Sequence, residues 1–331
     1  MTSIIEAENL TKFYPPKTKA VNDVSFTVEE GEVFGFLGPN GAGKSTTIKM
    51  LTTLASITSG SAKVAGYDVS QQPDAVRRSI GVVPQELTAD DELKGIENLL
   101  LVAKLHHVPR SEAPKKARDL LKLFDLEEAS ERRVRTYSGG MRRRLQMAMG
   151  LVHSPKILFL DEPTLGLDIQ TRTRVWDYIR QLNDSGLSVF MTTHYLEEAD
   201  GLCDRIAIID HGVIKVSDSP AHLKEKIGGD VLLVEVSDGA DLSEFLRSVP
   251  DVSDVTREGR AYKMKLPRTE RALPIIIDGI TKRGLQITEI SFTKPTLDEV
   301  FLDVTGRKMR EEEGEAQESW LQNINLGRAT N

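Results

Sequence analysis

The chain has 331 residues, of which 39% are hydrophobic and 28% charged, and a net charge of -7. That length exceeds one ordinary compact domain, and no stretch approaches the roughly 18–20 apolar residues of a membrane span, so a globular chain of two domains is expected. The acidic balance argues against bulk nucleic-acid binding, which needs a broad cationic excess, and the single cysteine, Cys203, cannot close an internal disulfide, which favours a reducing compartment.

Met1–Leu10 carries Glu6 and Glu8 and no apolar signal core, consistent with a cytoplasmic chain. Ile4–Tyr14, Val21–Val28 and Val33–Leu37 are rich in β-branched and aromatic residues and read as strands. A helix is predicted from Lys44 to Leu54, and helical spacing dominates between Asp90 and Met149. "KILFLDE" and "LSVFMTTH" read as buried strands, with a helix over Thr171–Leu182 between them. "RIAIIDHGVIKVSD" reads as a hairpin turning at His211–Gly212. Strands alternating with helices predict a parallel sheet at the centre.

The pattern changes near Ile227. The order becomes β-α-β-β-α-β, the split arrangement of a small ferredoxin-like domain, and a further helical piece, "TLDEVFLDVTG", follows. The expected division is 1–223, 224–308 and a polar, mobile tail over 309–331, in which Trp320, Leu321 and Ile324 offer some apolar surface.

"FGFLGPNGAGKSTTIKML" contains Gly38-x-x-x-x-Gly43-Lys44-Ser45 between a predicted strand and a predicted helix. Glycines let backbone N–H groups turn inward, and the helix N-terminus adds partial positive charge. Lys44 supplies a full charge toward β- and γ-phosphates, and the Ser45 hydroxyl can ligate Mg²⁺. The phosphate cradle is therefore Gly38, Pro39, Asn40, Gly41, Ala42, Gly43, Lys44, Ser45 and Thr46. In "KILFLDEP", Asp161 and Glu162 emerge at the end of a buried strand, where ligands sit in α/β sheets. One acid can hold the metal and the other can orient an attacking water.

A second stretch, "TYSGGMRRRLQM", opens a predicted helix with Ser138, Gly139 and Gly140. A plain helix cap, a nucleic-acid patch and half of an anion site each fit it. Arg142, Arg143 and Arg144 are distributed around that helix and read mostly as solvated surface.

Taken together, these motifs resemble the nucleotide-binding subunits of ABC transporters over Met1 to about Leu223. "GVVPQ" with Gln85, "YSGGM", "LGLD" with Asp168 and "TTH" with His194 fall in that family's order. The resemblance implies a P-loop NTPase cassette of α/β class, with a mixed β core, an antiparallel β subdomain and a helical subdomain, followed here by the ferredoxin-like α+β domain. It implies ATP and Mg²⁺ as cofactors. Tyr14 would stack on adenine, and Ser45, Gln85 and Asp161 would surround the metal. Glu162 would act as general base or water positioner, His194 would contact the γ-phosphate, and Asp168 would shape a dimer contact. Ser138, Gly139 and Gly140 would face the γ-phosphate of ATP held by another subunit. The partners implied are a second cassette, in a homodimer or heterodimer, and a separate membrane permease, with the chain peripheral on the inner face of the cell membrane and no nucleic acid bound. Tyr137 and Met141 stand where the family has Leu and Gln.

"FTKPTLDEVFLDVTGRK" looks like the ending of drug-resistance exporter ATPases of the daunorubicin type, which favours export. The small domain would serve structure or dimer contacts, or sense a small molecule. The alternative function is a soluble ABC-type ATPase acting on nucleic acid or the ribosome.

Overall fold

The computed structural model describes residues 2–16, 18–237, 241–267 and 269–307. Trp320, Leu321, Ile324 and the rest of the expected tail lie outside them. The described residues fall into two units, within 2–217 and 218–307.

The first unit opens with the antiparallel pair β1 (Ser3–Tyr14) and β2 (Thr18–Glu29), followed by β3 (Val33–Leu37) and helix α1 (Lys44–Leu51). The helix stops three residues short of the expected Leu54. Thr52 and Thr53 are β-branched, Thr52 turns its hydroxyl back onto the Ile48 carbonyl at 2.8 Å, and Thr53 has a left-handed φ of 64°. β4 (Ser59–Val64) and β5 (Tyr67–Asp68) complete a four-stranded sheet of order β2-β1-β4-β5.

After α2 (Pro73–Ser79) and β6 (Ile80–Val83) comes the helical stretch α3 (Gly95–Leu105), α4 (Ala113–Leu123) and α5 (Gly139–Leu151). Then follow β7 (Ile157–Asp161), α6 (Ile169–Asp184), β8 (Ser188–Thr193), α7 (Leu196–Leu202), β9 (Arg205–Asp210) and β10 (Val213–Asp218). They close a six-stranded sheet of order β10-β9-β3-β8-β7-β6, parallel between β9 and β3, β3 and β8, β8 and β7, and β7 and β6. Every residue of β3, β7 and β8 is buried, as central parallel strands covered on both faces must be. His211 and Gly212, with φ of 47° and 76°, supply the paired positive dihedrals of a tight hairpin turn between β9 and β10.

The core of this unit gathers Phe26, Phe34, Phe36 and Phe190 with ring centroids 5.0 to 6.0 Å apart. Cys203 is buried under β3, where a Cβ on Gly35 would come within 2.5 Å of its Sγ, and burial pushes its thiol pKa up, leaving an inert packing residue.

His153 stacks on His106 with ring centroids 3.8 Å apart, and its Nε2 lies 2.8 Å from the Ile80 carbonyl. Burial, then the neighbouring His106, draw the His153 pKa down to about 4. The unfolded chain therefore binds this proton more readily, so the contribution is complete above the unfolded value of about 6.5 and is lost as pH falls through that interval toward 4. The thermal midpoint of His153→Gln is accordingly expected to fall less steeply than wild type between pH 6.5 and 4.5, as read by a pH series of melting curves.

The second unit contains α8 (Pro220–Gly228), β11 (Asp230–Val236), α9 (Ser243–Ser248), β12 (Ser253–Glu258), β13 (Ala261–Leu266), α10 (Thr269–Lys282), β14 (Ile287–Thr293) and α11 (Leu297–Thr305). Its sheet order is β12-β13-β11-β14, with each neighbouring pair antiparallel, which is the ferredoxin-like topology. Alternate residues Leu232, Val234 and Val236 of β11 bury against Leu246, Ile276 and Ile280 of α9 and α10. The unit starts at Asp218, and α8 crosses the 223/224 division drawn from sequence. Among the described residues, no helix is long and apolar enough to cross a membrane.

Candidate nucleotide site

Parallel pairing brings the carboxyl ends of β3, β7 and β8 to one edge of the sheet. Register sets Leu37 beside Thr193 and Asp161 beside Thr192. The residues that follow these strand ends, Gly38, Glu162 and His194, therefore meet although they are far apart in sequence.

Gly38 N–H donates to the Thr193 carbonyl at 3.3 Å as the chain leaves β3. Gly41 and Gly43 adopt φ of 82° and 106°; a Cβ at Gly43 would come within 2.5 Å of Ala20 O, and one at Gly38 would overlap Ile209 O. The loop then enters α1, whose first N–H groups have no partner within the helix and form a positive terminus.

Lys44 is buried at that terminus. Its Nζ donates to Gly38 O at 2.6 Å and Pro39 O at 3.1 Å, and lies 3.4 Å from Glu162 Oε1. Glu162 also receives Gln85 Nε2 on Oε2 at 3.3 Å and faces His194 Nδ1 at 3.3 Å. Burial alone would raise the Glu162 pKa, but the hydrogen bond with His194 and the charge of Lys44 overcome it and hold the carboxyl below its ordinary value. Ser45 Oγ donates to Asp161 Oδ1 at 3.1 Å, and Thr192 Oγ1 donates to the same oxygen at 2.5 Å. The Ser45 hydroxyl and the Asp161 carboxylate are hard oxygen donors side by side, which suits Mg²⁺, and the Gln85 amide stands against the adjacent Glu162.

The remaining predicted residues lie outside this network. Ser138 caps α5, its Oγ accepting from Met141 N–H at 3.3 Å, and Ser138 and Gly139 are exposed. Gly140 lies against Thr171, where an added Cβ would come within 2.5 Å of Cγ2. Thr171 in turn donates from N and Oγ1 to Asp168 at 3.0 and 2.7 Å, and its side chain and backbone hold that carboxyl below its ordinary pKa. The start of α5 and the cap of α6 thus form one surface, flanked by exposed Leu165 and Ile169. Tyr14 ends β1, half-exposed, with the Lys12 ammonium 5.0 Å from its ring centroid. Tyr137, standing in for Leu, is buried and donates its hydroxyl to Ala129 O at 2.6 Å.

The reading of Arg142, Arg143 and Arg144 as mostly solvated is corrected. Arg142 pairs with Asp91 at 2.8 Å, and Arg144 donates to Phe124 O at 2.9 Å. Arg143 is buried among the carbonyls next to Glu162. The cause is packing of α5 on several sides, which three consecutive charges conceal. Also missed were Thr192, Gln146 and the wholly buried Glu198, whose Oε1 accepts from Thr164 and Trp176 at 2.9 and 3.1 Å. The one sequence signal for the pair at 143 and 146 is their i, i+3 spacing, which puts them on one helix face.

Residues 21–165 match the family described as ABC transporter, and residues 219–305 match the one described as ATP-binding protein DrrA1-3-like, C-terminal domain. The chain is 41% identical to the daunorubicin/doxorubicin resistance ATP-binding protein of Streptomyces peucetius, covering 92% of this chain and 93% of the relative. It is 36% identical to the linearmycin resistance ATP-binding protein of Bacillus subtilis (93% and 100% covered) and 33% identical to Nod factor export ATP-binding protein I of Cupriavidus metallidurans (94% and 100%). Among solved structures, an ATP binding subunit of an ABC transporter aligns with TM-score 0.61 at 27% identity, over 67% of this chain and 92% of the other. A dimeric post-hydrolysis state of an ATP-binding cassette with ADP and Pi aligns with TM-score 0.59 at 26% identity, over 65% and 98%.

Proposed function

The chain belongs to the ATP-binding proteins of ABC transporters, a family of ATPases, and from that premise we propose that it powers an exporter whose permease is a separate chain. The observation that carries this reading is the convergence of Lys44, Gln85 and His194 on an ionised Glu162 beside the glycine loop. The relatives named for resistance and export favour this over the alternative of an ATPase acting on nucleic acid or the ribosome.

In this reading the N–H groups of residues 38–46 bind the triphosphate, and Lys44 neutralises its outer phosphates. Tyr14 stacks on adenine. Ser45, Asp161 and Gln85 hold Mg²⁺, which when bound offsets phosphate charge. Glu162 takes the proton of the attacking water or fixes its direction, and His194 donates toward the γ-phosphate. Hydrolysis of this kind needs placement and charge neutralisation rather than covalent participation.

The exposed start of α5 completes the site of a second subunit, either an identical chain or another cassette. Two-fold pairing gives two equivalent sites, each built from one chain's loop and its partner's Ser138, Gly139 and Gly140, with Asp168 at the contact. The assembly sits on the cytoplasmic face of the membrane, held by the permease, and the second unit adds dimer contacts. ATP turnover of the purified chain should rise when the co-expressed permease is present in liposomes. Turnover indifferent to the permease but stimulated by DNA or ribosomes would overturn the reading.

A further inference from the structure

We propose that Arg143, with Gln146 beside it, is a positioning residue for ATP hydrolysis, fixing from the body of α5 the backbone around Gln85 and Glu162. The inference rests on the reading that those two side chains serve hydrolysis.

The guanidinium uses all five of its N–H donors. Nε donates to Pro163 O at 2.7 Å, Nη2 to Asp161 O at 3.0 Å and Glu162 O at 2.8 Å, and Nη1 to Pro84 O at 2.7 Å and Gln146 Oε1 at 3.0 Å. Gln146 Nε2 continues the span, donating to Pro84 O at 3.3 Å and Glu86 O at 2.6 Å. The carbonyls on both sides of Gln85 are therefore held from α5, and so are those before, at and after Glu162.

Two features make this more than a filled cavity. Glu162 occupies a left-handed φ of 48°, a conformation that a non-glycine residue keeps only when its surroundings hold it. Thr192 holds the Glu162 N–H at 3.1 Å, and Arg143 holds the other side through three consecutive carbonyls. Arg143 also sits on the helix that Ser138 caps, five residues and about 7.5 Å away along the axis. A displacement of the α5 start is thus carried rigidly to the segments that bear Gln85 and Glu162.

The charge matters as well as the fork. None of the five acceptors is a carboxylate; Asp161, Glu198 and Glu162 balance the cation through space. Burial draws its pKa down to about 10, so it remains charged at neutral pH. Lysine preserves that charge, but three donors on one atom cannot span the same five acceptors.

The full chain with Arg143→Lys is expected to lose about ten- to a hundredfold in kcat, the scale of a small misplacement of reacting groups. KM for ATP should stay within about threefold of wild type, because the cradle itself is untouched. Gln146→Leu should lower kcat less, also at near-constant KM. Combining Arg143→Lys with Gln85→Ala should slow turnover by less than the product of the single losses, since the two changes act on one element. A lower melting midpoint with kcat unchanged per ATP-binding chain would reduce Arg143 to a structural role and overturn the proposal. If Arg143→Lys fails to fold, unchanged kcat in Gln146→Leu overturns it instead. The underlying reading fails separately: Glu162→Gln would then retain turnover whatever Arg143 does.

Discussion

Glu162→Gln is expected to lower ATP turnover by about a hundredfold or more while leaving ATP binding intact, the loss associated with removing a positioned proton acceptor. The amide matches the carboxylate in shape, so Gln85 and His194, each 3.3 Å away, keep a neighbour of the same size. What disappears is the negative charge that Lys44 and His194 hold in its ionised form. Because the Glu162 pKa is depressed, the wild-type rate should persist on acidification down to the ordinary carboxylate range and fall only below it. With binding retained and hydrolysis blocked, the ATP-loaded dimer should accumulate on a sizing column in ATP and Mg²⁺. A variant that turns over within a few-fold of wild type, or stays monomeric at high concentration, would contradict the assigned role.

Ser138→Arg is expected to abolish turnover and dimer closure while a single chain still binds ATP. As a helix cap Ser138 contributes only about 1 kcal/mol, so its loss does not unfold the domain. The side chain is exposed, and among the described residues nothing beyond its chain neighbours and its own helix backbone lies within 4 Å of a Cβ on Gly139. A small, open helix start of this kind admits a polyanion brought by another molecule. An arginine there fills the space and sets its charge at the positive end of the helix. Nucleotide-binding titration and ATPase assay on the same preparation separate the two effects, and normal hydrolysis would remove the proposed role of the α5 start.

Local signals made much of this architecture legible in the sequence. The loop 38–43 could be read because its glycines sit where the backbone turns left-handed, at Gly41 and Gly43, or passes too close to a neighbouring carbonyl for a side chain, at Gly38, and because a strand and a helix flank it. Asp161 and Glu162 were legible because a fully apolar strand ends on them. The order of elements after Ile227 announced the second unit's topology. Arg143 was not legible, because four of its five partners are backbone carbonyls, which every residue carries, on segments 18 to 59 positions away. Thr192 was hidden for a similar reason: its hydroxyl reaches Asp161 only because β7 and β8 pair in parallel register. The early end of α1 turned on a hydroxyl returning to its own helix, a choice that apolar periodicity does not record.

Mixing the two variants tests most directly whether each site is shared between chains. Glu162→Gln subunits keep a working α5 start, and Ser138→Arg subunits keep a working Glu162. In a random mixture half the dimers would pair one of each, and one of their two sites would hold both intact parts, restoring up to about a quarter of wild-type turnover. A mixture no faster than the two variants measured apart would contradict a site completed by the partner chain.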